Sequence, residues 1–376
     1  MTRRRRILWS LAASIVLAVA ALALVLRYES SCPPAPAPAT GAATMQAIHQ
    51  ACYGPPSQLQ LVRVARPQPG AGELLVRVHA AGVNPLDWHY LHGQPYFMRL
   101  SSGIGRQSDP RTGVDFAGTV EAVGDGVERF RPGDAVFGVR NGAFAEYLVV
   151  AADRNVVHKP EAIGFEAAAA VPIAALTALQ AVRDAGRLQA GQRVLVNGAS
   201  GGVGTFAVQI AKALGGHVTG VSSSRNVDLV RALGADAVID YGREDFTRGG
   251  RRYDLIIDNV GNHDLAALRR ALHEDGTLVM VTGPKHNRWL GPLARMLWAR
   301  LSAPFVSQTQ VSLLASSNPV DLATLRDMLA DGRLRPVIDR RFALSEVPAA
   351  IDWQGQGRSR GKNVIVLIPD PTAPAP

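Results

Sequence analysis

A chain of 376 residues with 47% hydrophobic residues can fill two cores, and 37 glycines with only 6% aromatics suit an α/β protein of many tight turns. The net charge of +9 does not mark a nucleic-acid binder: residues 1–44 carry +4 of it, and Arg251–Arg252 and Arg269–Arg270 are short pairs, far below a polyanion-binding run. Two cysteines, Cys32 and Cys52, exclude a disulfide framework and a four-cysteine zinc lobe, and Cys32 reads as a plain thiol.

Residues 1–6 form a basic N-terminus with four arginines, followed by 20 uncharged residues from Ile7 to Leu26. At about 1.5 Å per residue that run spans a bilayer core of about 30 Å and predicts a single transmembrane helix. Leu24-Val25-Leu26-Arg27 offers no small-residue cleavage site, which favours an uncleaved anchor over a secretory signal, although Ala35-Pro36-Ala37 offers a later one. Residues 27–44 read as a Pro/Ala-rich, semi-rigid tether, and the folded body starts at Met45. Four arginines before the span and one after it predict the N-terminus inside and the body outside the cytoplasm. A body that uses a nicotinamide cofactor, argued below, favours the cytoplasm instead. Arg5-Arg6-Ile7-Leu8-Trp9 loosely resembles a twin-arginine export signal, a route for folded proteins, so both sides stay open.

Residues 45–165 carry short strands broken by Gly, Pro and Asp, among them LLVRVHAAGV, AGTVEAVG, FRPGDAVFGV and GAFAEYLVV, the pattern of a small β-barrel. Residues 166–309 change character. RVLVN (193–197) is a strand, GASGGVG (198–204) a glycine turn, and the residues after it recur at helical spacing. This strand–turn–helix context predicts a dinucleotide site: Ala199, Ser200, Gly201, Gly202, Val203 and Gly204 form the phosphate turn, Gly201 admits the pyrophosphate and Gly204 lets helix pack on strand. HVTGVS (217–222), AVIDY (237–241), YDLIIDNVG (253–261) and GTLVMVTG (276–283) are further strands alternating with helices, so a doubly wound parallel sheet is expected. The position 19 residues past Gly204 is Ser223, with no carboxylate beside it. Ser222, Ser223 and Arg225 can bind a 2′-phosphate, which makes NADPH the expected cofactor ahead of NADH. Residues 310–368 return to complete the barrel, and 369–376 read as a disordered tail.

From Met45 to about Ile368 the chain resembles the medium-chain dehydrogenase/reductases, specifically the zinc-independent quinone oxidoreductase branch. The resemblance rests on NPLDW (84–88), GVDFAGTVEAVG (113–124), FRPGDAVFG (130–138), AAVPIAALTAL (169–179), NGASGGVG (197–204), LGADAVIDY (233–241) and GRSRGKNVIV, in the family's order. It implies a GroES-like barrel, a Rossmann domain and an active cleft between them. Metal-using members carry Cys where this chain has Asn84 and Gly-His-Glu where it has Gly113-Val114-Asp115, and no Cys, His, Asp or Glu lies between Ala167 and Leu179. No zinc is therefore expected.

Without a Lewis acid, hydride is best sent to an electron-poor carbon of a quinone or an α,β-unsaturated carbonyl, and the largely apolar run from Pro95 to Leu100 suits a lipophilic acceptor. Asn84 is the first candidate for orienting the carbonyl. His89 and its neighbour Tyr90 stand where relatives often place a proton-donating Tyr; His89 is read evenly as proton donor or as a solvent-facing loop residue. By resemblance, Thr177 contacts the nicotinamide, against the plainer reading of a helix hydroxyl bonded to its own backbone, Tyr241 packs on the adenosine, and Asn259 and Val260 edge the site. The segment from Pro284 to Phe305 is an apolar helix read as a pocket cap or oligomer contact, or as a membrane-surface helix. Homodimers are implied by resemblance. The competing functions are an aldehyde or ketone reductase and a catalytically idle NADPH-binding membrane scaffold.

Overall fold

The computed structural model describes residues 3–38, 40–281 and 287–369. Pro284 to His286, the end of the expected fifth strand, Ala39 of the expected tether and the tail from residue 370 lie outside them. The first apolar stretch is one helix, α1 (Arg3–Arg27), whose window Trp9–Arg27 is long and apolar enough to cross a membrane by length and composition, and it stands off the body almost wholly exposed.

The chain then turns back. Cys32 forms a disulfide with Cys52, their Cα atoms 5.4 Å apart, which corrects the plain-thiol expectation. A count of two cysteines carries no distance. The residues between α1 and Cys32 dock on Arg99 and Gly105 and so bring Cys32 to the barrel.

The barrel opens with an antiparallel ribbon, β1 (Thr44–Gln50) and β2 (Leu59–Ala65). The long strand β3 (Glu73–Val83) leads into α2 (Pro85–His92) and, through the loop 93–98, called the substrate loop after the resemblance above, α3 (Arg99–Ser102). Strands β4 (Asp115–Val123), β5 (Ala135–Val139), β6 (Tyr147–Ala151) and β7 (Val156–His158) follow. Alternate residues of these strands, Leu74, Val76, Val78, Phe116, Val120 and Val136, fill one core, as the two-residue period of a strand requires.

Two short helices, α4 (Phe165–Ala169) and α5 (Pro172–Leu179), cross to the second domain. There β8 (Arg193–Asn197), α6 (Gly202–Ala213), β9 (His217–Ser222), α7 (Val227–Ala232), β10 (Ala237–Asp240), β11 (Tyr253–Asp258), α8 (Leu265–Arg270), β12 (Leu272–Met280), α9 (Leu293–Ser302) and β13 (Thr309–Ser312) build a parallel sheet in the order β10-β9-β8-β11-β12-β13. Both faces are covered: Val194 and Val196 point to the side of α5 and α6, Leu195 to the side of α8 and α9. The strand order reverses between β8 and β11, the switch point where such sheets bind ligands.

The second domain runs past the expected boundary at 309. β13 pairs with β12, and α10 (Pro319–Ala330) packs into the same core, so the barrel resumes only at β14 (Ile338–Ala343). The reason is that β13 reads TQVS, a short strand with little apolar signal, placed by pairing rather than by periodicity. α11 (Val347–Gly355) and β15 (Lys362–Val366) then close the barrel, β15 pairing with β3.

Candidate active site

The glycine turn divides its work by position. Gly198 takes φ +78° and opens the turn, and Gly201 is the extended N-cap of α6. A Cβ on Gly204 would lie 2.1 Å from the Gly198 carbonyl oxygen, so only glycine lets the helix close on the strand. A Cβ on Gly201 meets only the Gly198 oxygen, at 3.4 Å, and otherwise open space. The backbone there lies uncovered at a helix N-terminus, the arrangement that receives a phosphate. Ala199 is fully buried and gives its N–H to the Val221 oxygen, so its side chain is packing rather than contact surface. Ser200 accepts from Asn226 Nδ2 at 3.0 Å through its hydroxyl and from the Gly361 N–H at 2.9 Å through its carbonyl, tying the turn to the last barrel strand. Gly202 and Val203, the first residues of α6, are half-buried.

Across the switch point, Asn259 donates Nδ2 to the Asn197 oxygen at 3.0 Å, while its Oδ1 is buried with no partner. Val260 lies against the Gly198 turn. A buried acceptor without a donor, beside an uncovered helix N-terminus, fits the hydroxyl and amide donors of a dinucleotide. Thr177 is buried and donates its hydroxyl to the Ile173 oxygen at 2.7 Å, so that group is engaged by its own helix.

At the adenosine end, Ser222 is buried, Ser223 half-buried, and Arg225 exposed with Nη2 on the Arg358 oxygen at 3.0 Å. Tyr241 is exposed where β10 ends. The same corner holds Asp240, which accepts from the Ser224 hydroxyl at 2.5 Å. That bond, with the Gly242 N–H behind it, holds its carboxyl below the usual range. Spacing after the fingerprint missed this acid because it arrives on the next strand. The corner therefore carries both signs, Arg225 suited to a phosphate and Asp240 to ribose hydroxyls.

The barrel side contributes a buried polar cluster. Asn84 caps α2, and Asp87 Oδ2 accepts the Asn84 N–H at 2.7 Å, closing a capping box. Asn84 Nδ2 donates to Asp115 Oδ2 at 2.9 Å, with the Gly82 oxygen at 3.4 Å, and its Oδ1 accepts from Lys362 Nζ. Lys362, buried on β15, also donates to the Val83 oxygen at 2.9 Å and lies 3.6 Å from Asp115 Oδ2. Asp115 Oδ1 in turn accepts the Ile173 N–H at 3.1 Å and so holds the crossing helix α5. Burial pushes Asp87 up to about 7, the Asn84 N–H opposing and the Asp115 charge adding to the rise. Burial also raises Asp115 and lowers Lys362, each opposed by the other's charge.

This geometry changes the reading of Asn84: its amide hydrogens are taken by Asp115 and Gly82, so it has none left for a substrate carbonyl. Lys362 was missed from sequence, although a signal was there, since only four of the 40 basic residues are lysines. α2 sends its two other candidates to different surroundings. His89 donates Nδ1–H to the Gln94 oxygen at 2.8 Å. Tyr90 lines a half-open cavity of about 230 Å³, with Gln50, Asp87, Gln107 and Thr112, and burial, then the Asp87 charge, raises its hydroxyl. Among the described residues no three His, Cys, Asp or Glu side chains gather as a metal site needs.

Residues 70–161 match the alcohol dehydrogenase GroES-like domain and residues 233–365 the zinc-binding dehydrogenase domain. The chain is 33% identical over 340 residues to a chloroplastic quinone-oxidoreductase homolog of Spinacia oleracea, covering 85% of this chain and 98% of that one. It is 32% identical over 345 residues to the mitochondrial NAD(P)H oxidoreductase RTN4IP1 of Mus musculus, covering 79% and 82%. The quinone oxidoreductase of Coxiella burnetii superposes with a TM-score of 0.74 at 31% identity, over 86% of this chain and all of that one. With the glycine turn and switch point already in place, these likenesses assign the chain to the medium-chain dehydrogenase/reductases, in their quinone oxidoreductase-like family, as an NAD(P)H-dependent oxidoreductase.

Proposed function

We propose that the chain is a membrane-anchored, zinc-independent reductase that passes a hydride from NADPH to a quinone or an α,β-unsaturated carbonyl. The observation that carries the reading is the uncovered Gly201 turn facing the unpartnered Asn259 oxygen at the switch point, bound to the barrel through Ser200 and Gly361. Bound there, a reduced nicotinamide supplies the hydride. Zinc independence is supported by what fills the position of the expected metal ligands: the Lys362 ammonium already takes the Asn84 oxygen and faces Asp115, and a second cation would meet its charge. An anchor is supported by the 19-residue stretch Trp9–Arg27, with a mean hydropathy of 2.5 and about 28 Å of helix.

The roles divide between support and chemistry. Asn84, Asp115 and Lys362 position α2 and the substrate loop. His89, its ring fixed by the Nδ1–H bond to Gln94, is the candidate to deliver from Nε2, as the imidazolium, the proton that completes the reduced acceptor, with Tyr90 the other candidate. Arg225 selects the 2′-phosphate.

The test uses the full chain in vesicles with NADPH, following loss of the nicotinamide absorbance against quinones, enones and aldehydes, with and without a chelator. Chelator-resistant oxidation by quinones or enones supports the reading. Turnover confined to aldehydes moves the substrate class, turnover lost to the chelator removes zinc independence, and NADPH binding without any turnover leaves a scaffold. In the same assay Arg225→Ala should weaken NADPH by about tenfold, the loss of one charge-assisted contact, and leave NADH unchanged.

A further inference from the structure

The end of the anchor is built into the substrate loop. Arg99, 1% exposed, gives Nη1 to the Leu26 and Tyr28 oxygens at 3.0 and 3.3 Å, the open carbonyls at the end of α1. Its Nη2 meets Glu29 at 3.1 Å, its Nε the Gly93 oxygen at 3.0 Å, and its plane lies over the Tyr53 and Tyr96 rings. The Ser30 N–H bonds the Gly105 oxygen at 3.1 Å, and the Cys32–Cys52 disulfide follows. A buried guanidinium is costly unless its donors are met, so the docking of α1 on this loop is part of the fold.

The same loop receives the apolar insert of the second domain. The Tyr96 N–H bonds the Arg288 oxygen at 2.8 Å, and a Cβ on Gly291 would lie 2.2 Å from Pro95. The Tyr96 ring lies 4.8 Å from the Arg99 guanidinium and 4.9 Å from the Trp289 ring, so Trp289 is within about 10 Å of the guanidinium that holds the anchor's last carbonyls, where one headgroup layer is roughly 5–8 Å deep. Beyond Trp289, α9 buries Ala299 and turns Leu297, Trp298 and Leu301 outward on one face, with Phe305 beyond, Trp298 being 64% exposed. Exposed Arg288 and Arg300 flank this face.

We infer that this outward face of α9 lies in the interfacial layer of the bilayer that holds α1, so that the substrate loop opens at the membrane surface and takes its acceptor from the lipid. The inference rests on the anchored reading above. Continuity selects the bilayer over a second copy of the chain: the face joins, through Tyr96 and Arg99, the point where the anchor leaves the membrane. Its composition, Trp, Leu and Phe flanked by Arg, is that of an interfacial helix on an anionic surface.

Quenching of tryptophan fluorescence by lipids brominated on the upper acyl chain tests this in vesicles holding the full chain. Trp9→Phe and Trp298→Phe, both at exposed positions, isolate two contributions by difference. Quenching of both Trp9 and Trp298 is the expected result. Quenched Trp9 with unquenched Trp298 overturns the interfacial face and leaves the anchor standing. If Trp298 is shielded from both lipid and aqueous quenchers in a dimer, the face belongs to a second copy and the inference fails. Unquenched Trp9 removes the anchor and the inference with it.

Discussion

Lys362 is the one cation in a cluster that otherwise holds an amide and two carboxyls, and its loss should be felt at once. Lys362→Met leaves the Asn84 oxygen without its donor and Asp115 buried without its counter-charge. Breaking a buried pair from one side costs about 3–5 kcal/mol, so the melting temperature and turnover should both fall. Adding Asp115→Asn removes the stranded charge, and the double variant should regain much of the stability but not the activity; a thermal melt beside the NADPH assay reads both. Asp87 gives a pH signature with a definite sign. Its pKa rises from 3.8 to about 7 in the fold, so its contribution to stability is full below its ordinary pKa and is lost as pH climbs through about 7. The melting temperature should decline between about pH 4 and pH 7 and level off above, and Asp87→Asn should flatten that decline. An unchanged slope would mean that another group sets it.

The glycine turn offers a sharper contrast between folding and binding. Gly204→Ala forces its Cβ to within 2.1 Å of the Gly198 oxygen, so the strand–helix joint must open and both melting temperature and cofactor affinity should fall. Gly201→Ala adds a methyl group in open space, so stability should hold while NADPH affinity falls. Calorimetric titration paired with a melt separates the two, and equal stability losses would refute this division of labour. These elements were the legible part of the sequence. HVTGVS is β9 to the residue, and AVIDY and YDLIIDNVG run only slightly past β10 and β11, because buried parallel strands are continuous apolar runs bounded by turn residues. What was not legible depends on distance through space. Lys362 lies 278 positions from Asn84, Asp240 reaches the ribose corner from a neighbouring strand, and β13 is held by pairing alone. Local pattern carries no information about such contacts. Asn84 shows the same limit, since its amide is used by Asp115 and Lys362, partners that no motif names.

At the scale of the whole molecule, the anchored reading proposed above leads to a prediction about which side of the membrane holds the body. Arg3 to Arg6 precede the apolar helix and Arg27 alone closes it, a bias that predicts an N-terminus inside and a body across the membrane. The Cys32–Cys52 disulfide agrees, because such bonds persist in oxidising compartments and are rare in reducing ones. Closing a loop of this size adds about 3 kcal/mol by restricting the unfolded chain, and here it also pins the anchor to the barrel. The prediction is a catalytic body on the oxidising side. Membranes taken directly into denaturant with a maleimide-linked polymer should show no mass shift, and after reduction a shift of two tags, one for each cysteine. Two tags without reductant would place the body where thiols are kept reduced, beside the cytoplasmic NADPH pool, and the arginine bias would then have failed to set the topology. The oxidised outcome makes a demand of its own. A nicotinamide cofactor made inside must cross with the folded protein, the cargo that a twin-arginine route accepts, and Arg5-Arg6 would be its signal. Arg5→Lys with Arg6→Lys keeps the charge and removes the signal, so it should leave the chain unexported with both thiols open to the tag.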